Sequence, residues 1–119
     1  MSNVKQVLEE AMTIEGAMGV ALADFKSGML LGSAGAGLNL EVAAAGNSEV
    51  LRSKLKVMSN LGLKDKIEDI LITLGNQYHL MRPLGKTSNL FMYLVLNKTQ
   101  ANLAMGRHKL AELENKLEV

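Results

Sequence analysis

The spacing of apolar positions changes period several times along this chain, and the changes outline eight elements. From Asn3 to about Met12 the apolar residues fall at Val4, Val7, Leu8 and Met12, with Lys5 and Glu9 one turn apart on the other side. That spacing predicts a short amphipathic helix. Ala17 to Asp24 then runs almost without a polar residue and ends in Asp24-Phe25-Lys26-Ser27-Gly28, a cluster of turn formers. The run is too short for most helices and reads as a strand buried on both faces. Met29 to Ser33 makes its hairpin partner, and Gly32, Gly35 and Gly37 close the segment.

A helical period resumes at about Leu40 and continues to Leu61. Asn39 can cap this helix, Glu41 lies in its first turn, and Arg52, Lys54 and Lys56 lie toward its end, the sense that complements the helix dipole. Gly46-Asn47-Ser48 are poor helix formers, and Gly alone costs about 1 kcal/mol relative to Ala. A break there is the competing reading. Against it, Leu40, Ala44, Asn47, Leu51, Leu55 and Met58 keep one phase across the weak spot, which favours a single helix.

Ile67 to Leu74 reads as a third strand, Gly75-Asn76 as a two-residue hairpin and Gln77 to Leu84 as a fourth strand, with Pro83 near its end where a missing donor does least harm. A polar loop, Gly85 to Asn89, leads into Leu90 to Leu96, continuously apolar and therefore central. Thr99 is the expected cap of a last helix whose Leu103, Leu110 and Leu117 share a stripe beside Leu113. The first and fifth strands are apolar on both faces. They are expected to be neighbours at the centre of one sheet covered by helices on both sides.

Composition narrows the function classes. The chain has 119 residues, enough for one domain (1–119) with a core, and its 48% hydrophobic content excludes disorder. With 13 basic and 12 acidic residues it carries a net charge of only +1, so no broad field draws it to nucleic acid. It has no cysteine, no leader-like opening and no apolar run near the ~18 residues of a membrane span, so a cytoplasmic protein without membrane insertion is expected. Two Phe, two Tyr, no Trp and eight Met leave the core to aliphatic and thioether side chains.

No motif makes an active site, a cofactor loop or a metal centre. Gly85-Lys86-Thr87 looks like the end of a phosphate loop, but Leu80 stands where the first glycine is needed and a strand follows where a helix must. Gly32-Ser-Ala-Gly35-Ala-Gly37 has its glycines in the wrong order for a dinucleotide loop. His79 and His108 have no metal-ligating neighbours at a suitable spacing. Asp65, Glu68 and Asp69 cluster at the third strand, yet adjacent Glu68 and Asp69 point to opposite faces and read as edge protection. One chemical signal survives. After Leu40, Ala44, Leu51, Leu55 and Met58 have covered a sheet, a second line of Ala43, Gly46, Val50, Val57 and Leu61 is left over on the long helix. Apolar area left over on a helix marks a protein contact.

The element order, the Ala-Asp-Phe-Lys-Ser-Gly-Met turn at residues 23 to 29, and the tail Thr99-Gln-Ala-Asn-Leu-Ala-Met-Gly-Arg-His-Lys-Leu110 together resemble the Roadblock family of dynein light-chain-like proteins, over about Met12 to Leu117. The resemblance implies an α/β (α+β) domain of profilin or longin type. Its antiparallel five-stranded sheet would have the order 2-1-5-4-3, with the long helix on one face and the terminal helices on the other. It further implies a homodimer that pairs long helices and joins third strands edge to edge, here through Ala43, Gly46, Val50, Val57 and Leu61 with Ile70 and Ile72. Such dimers resemble platforms for small Ras-like GTPases, and the chain looks most like a bacterial stand-alone member that acts as a GTPase-activating or co-regulatory partner. Glu49, Arg52 and Lys56 are then the residues expected to touch the GTPase, with ordering of its switch loops favoured over an arginine finger from Arg52. A structural light chain or scaffold subunit, and a small-ligand sensor, are the competing functions.

Overall fold

The computed structural model describes residues 2–85 and 89–119. Helix α1 (Val4–Ala11) precedes the hairpin of β1 (Ala17–Asp24) and β2 (Met29–Gly35). Then come helix α2 (Leu40–Asn60), strands β3 (Ile70–Thr73), β4 (Gln77–Pro83) and β5 (Leu90–Asn97), and helix α3 (Leu103–Lys116). The sheet has the order β2-β1-β5-β4-β3 and every pairing is antiparallel. The two doubly apolar runs are indeed its centre, β5 being buried at every position but Asn97.

Strand alternation divides the core into two layers. Val20, Leu22, Leu80, Met92, Leu94 and Leu96 face α1 and α3, where they meet Val7, Leu8, Ala11, Leu110 and Leu113. Ala21, Ala23, Met81, Phe91, Tyr93 and Val95 face α2, where they meet Leu40, Ala44 and Leu51. The alanines of β1 lie under an alanine of α2, small against small, which lets the long helix sit close to the sheet. At the end of β2, Gly35 has φ +103°, and a Cβ there would stand 2.5 Å from the Met18 carbonyl oxygen, so only glycine fits.

Helix α2 is unbroken through Gly46-Asn47-Ser48. Its polar residues explain why. Asn47 Nδ2 donates to the Ala43 carbonyl (2.8 Å) and Ser48 Oγ to the Ala44 carbonyl (2.6 Å), so both side chains bond back along the helix instead of competing with it. Asn39 caps α2 as expected, its Oδ1 accepting from Val42 N. The buried stripe is shifted from the expected one, because Ser48 is fully buried in it while Leu55 is exposed.

Two expected boundaries are corrected. The third strand begins at Ile70 rather than Ile67. The β3–β4 register would set Glu68 opposite Pro83, whose nitrogen has no hydrogen to give, and Asp69 is drawn instead to Arg107 of α3 by two hydrogen bonds of 3.0 and 3.1 Å. The last helix is capped by Asn102, whose Oδ1 accepts from Met105 N, and not by Thr99. Thr99 is engaged in a turn, its N–H and hydroxyl both donating to Asn97 Oδ1. Gly106 then takes the buried place expected of Leu103, since it passes close to Leu96.

Candidate interaction surface

At about 100° per residue, the side of α2 opposite its buried stripe carries Ala43, Gly46, Val50, Ser53 and Val57. Val50, Val57 and Leu61 are 39%, 43% and 67% exposed, and Ala43 is half-buried. A Cβ added to Gly46 would meet nothing within 4 Å. Gly46, Glu49, Val50, Ser53, Lys54 and Val57 line a shallow groove along the helix. Apart from Ala43, which packs partly against the core, the leftover apolar line foreseen from the sequence is thus exposed in the folded chain. Leu55 and Leu63 are exposed as well, but Leu55 lies beside the buried stripe, away from this line, and Leu63 lies beyond the helix. Ser53 and Lys54 were missed, although a seven-residue spacing counted from Ala43 places Ser53 three positions after Val50 on the same seam.

Ile70 and Ile72 lie half-buried on the α2 side of β3. That strand is at the edge of the sheet. The residues expected at a dimer interface therefore fall in two places, one line on α2 and one sheet edge on the same side of the molecule. Glu49, Arg52 and Lys56 follow one another along the flank of α2 toward the β1–β2 turn, Glu49 at the border where it also lines the groove. Glu49 and Lys56 are exposed. Arg52 is not a free cation: it is half-buried and its Nη1 donates to the Phe25 carbonyl, tying the turn to the helix.

The groups weighed for chemistry are dispersed. His79 lies in β4 on the α2 side, and its Nε2 is 2.8 Å from Gln77 Oε1, an acceptor. The ring's Nδ1 must then accept from the Tyr93 hydroxyl, 2.9 Å away. Burial holds the His79 pKa below its ordinary value and pushes the Tyr93 phenol up, the latter opposed by a hydrogen bond with Asn47. His108 pairs with Glu112 on the exposed side of α3. Asp69 belongs to Arg107, while Asp65 and Glu68 are exposed. Among the described residues no three His, Cys, Asp or Glu side chains could together hold a metal ion. Lys86 and Thr87 of the phosphate-loop-like stretch lie outside the described residues, and the Gly85 N–H before them is held by Glu114 Oε2 at 2.8 Å. No helix among the described residues is long and apolar enough to cross a membrane.

This arrangement of sheet and helices is the Roadblock/LC7 fold. It superimposes on a Roadblock/LC7 domain from Streptomyces avermitilis with a TM-score of 0.84, covering 97% of this chain and 94% of that one at 12% identity. The gliding protein MglB from Thermus thermophilus matches with a TM-score of 0.78, covering 92% and 81% at 19% identity. A further MglB structure, with a tetrameric arrangement, matches at 0.81, covering 94% and 82% at 20% identity. No sequence model of a protein family and no curated protein sequence matches the chain.

Proposed function

We propose that the protein is a cytoplasmic homodimeric adaptor that binds a small Ras-like GTPase and stimulates its GTP hydrolysis without an active site of its own. The observation that carries this reading is the exposed apolar line of α2 on the same side of the sheet as the β3 edge. A helix that leaves Val50, Val57 and, at its C-terminal cap, Leu61 to solvent gains from a second apolar surface. The tetrameric arrangement of one MglB structure is in keeping with self-association of this fold. Ala43, Gly46, Val50, Val57, Leu61, Ile70 and Ile72 make the seam, and the partner sits across the doubled surface.

Stimulation of hydrolysis would come from ordering the GTPase's own groups around the transferred phosphoryl. Arg52 would have to leave the Phe25 carbonyl before it could reach a phosphate, which weighs against an arginine finger. The same capture favours a second reading, a scaffold or light-chain subunit that binds a partner and leaves its turnover unchanged.

Light scattering at micromolar concentration, followed by binding and GTP-turnover assays with the Ras-like GTPase encoded nearest to this protein, tests the proposal. A dimer that binds in one nucleotide state and accelerates turnover is expected. Binding with unchanged turnover would select the scaffold reading, and a strictly monomeric protein would remove both. Gly46→Leu, which adds bulk, and Val50→Asp, which adds an unpaired charge, are expected to abolish association without destabilising the monomer, whose thermal unfolding Gly46→Leu should even raise slightly through helix propensity.

A further inference from the structure

We propose that the side chains of His79, Tyr93 and Asn47 form a proton-operated latch that fastens the middle of α2 to the sheet, closed while the His79 ring is neutral and released when it takes up a proton. The latch belongs to the single chain and does not depend on the self-association proposed above. It governs the surface that α2 offers to solvent, because Asn47 adjoins Gly46 of the exposed groove.

The latch residues come from different elements and meet on the α2 side of the sheet. His79 stands opposite Ile72 of β3 and Val95 of β5. The Tyr93 ring meets it edge-on, with 5.5 Å between centroids and its hydroxyl 2.9 Å from Nδ1. Tyr93 is only 2% exposed, so its hydroxyl depends on partners within the protein. Asn47 completes the chain from above. Its Nδ2 carries two hydrogens, one donated to the Ala43 carbonyl at 2.8 Å and the other to the Tyr93 oxygen. With His79 neutral every donor has an acceptor and the bonds run one way, from Asn47 to Tyr93 to His79. The ring's Nε2 donates onward to Gln77 Oε1.

A proton from solvent enters at Nδ1, the ring nitrogen without a hydrogen, and reverses the middle bond. Nδ1–H then donates to the Tyr93 oxygen, which already accepts from Asn47. The hydroxyl hydrogen is left facing the Asn47 amide nitrogen, another donor. Turning the Asn47 amide over would present Oδ1 to that hydrogen, but it gives up the Nδ2 bond to Ala43. That bond and the one from Ser48 brace α2 across Gly46-Asn47-Ser48, where helix propensity is poor. Protonation therefore costs α2 either a buried donor without an acceptor or a brace at its weakest place.

The surroundings of His79 leave this role to the ring itself. Burial, not a neighbouring charge, holds its pKa down. On the same face β3 offers Ile72, β4 Gln77 and Met81, and β5 Tyr93 and Val95. From α2, Lys54 lies on the flank of Asn47 two turns further on and is exposed. The connection before β3 packs Ile67 on this core, while its Lys64, Asp65, Lys66 and Glu68 are exposed and Asp69 is paired with Arg107. The folded chain thus binds the His79 proton less well than the unfolded one. The latch is closed at and above the unfolded pKa of about 6.5 and opens as pH falls through the lower folded value.

Amide hydrogen exchange of the full chain, each rate divided by the intrinsic rate at the same pH, tests the latch beside an NMR titration of the His79 ring. Between pH 7.5 and 5.0 the protection of Gly46 to Leu51 is expected to fall about 3- to 10-fold more than that of Leu110 to Leu113 in α3, with the midpoint of the ring titration. Tyr93→Phe, which keeps the ring and removes the hydroxyl, and His79→Gln are each expected to abolish this excess. An excess that persists in either variant, or a fall shared equally by α2 and α3, would overturn the latch. So would a midpoint different from that of the ring, a comparison that needs only the wild-type chain and survives a variant that fails to fold. The same excess is expected after tenfold dilution; one that changed with concentration would belong to assembly and overturn the latch as well.

Discussion

On one side of the sheet α1 and α3 cover the strands together and are fastened to each other; on the other, α2 covers them alone. The two-helix layer is closed. Leu110, Leu113 and Leu117 fill the space between α3 and the sheet, Glu114 holds Arg82 at 2.6 Å, Arg107 holds Asp69, and Glu10 of α1 bridges to Lys116 at 3.0 Å and Lys109 at 3.6 Å. The hydrogen bond from Lys116 keeps the Glu10 carboxyl below its ordinary pKa. The single-helix layer is open. Helix α2 buries Leu40, Ala44, Ser48, Leu51 and Met58 in 21 residues, and its second half is largely exposed. One layer commits its apolar surface to folding; the other leaves part of it exposed, available to the association proposed above.

Substitutions on the two sides should therefore separate stability from assembly. The largest stability effect is expected at Leu110→Ala, which empties a fully buried site of the closed layer and should cost about 2–5 kcal/mol in urea unfolding. An equal loss from Val50→Asp would contradict the division of labour. Glu114→Ala removes the acceptor of both Arg82 and the Gly85 N–H and should cost about 1–3 kcal/mol, without altering self-association in dilution experiments. Gly46→Ala has opposite signs on the two readouts. With open space around it, the added methyl should stabilise a monomer by about 1 kcal/mol through helix propensity, yet weaken a dimer by filling the notch. Gain of both stability and affinity would place the seam elsewhere.

The smallest effect is a pH dependence centred on His79. Burial lowers its folded pKa below the unfolded value of about 6.5, so the folded state binds the proton less well than the unfolded chain. Stability should be full above that pH and fall as pH drops through the unfolded pKa toward the folded one. Urea midpoints at pH 7.5 and 5.5 should differ in the wild type and differ less in His79→Gln. Equal pH slopes in the two proteins would show that His79 is not the titrating group.

How much of this was legible beforehand depended on whether the deciding neighbour was near in the chain. The central strands could be read because β1 and β5 carry their own burial, and α2 because Leu40, Ala44, Leu51 and Met58 hold phase over five turns. The exposed line from Ala43 to Leu61 was legible as the remainder. The start of β3 was not, since it depends on Pro83 across the hairpin and on Arg107 from another layer. Nor was the capture of Arg52 by a carbonyl 27 residues earlier, or the meeting of Gln77, His79 and Tyr93 across two strands. Ser48 escaped because a hydroxyl that bonds its own helix behaves as a small apolar residue.

The closed layer also joins the first and last residues of the fold. Asn3 N donates to the Glu118 carbonyl at 3.0 Å, Asn3 Nδ2 donates to the Lys116 carbonyl at 2.7 Å, and Glu118 N donates back to Asn3 Oδ1 at 2.7 Å. Both ends therefore emerge side by side from the face away from α2. A tether attached at either one would orient the molecule on a surface with α2 toward the solution.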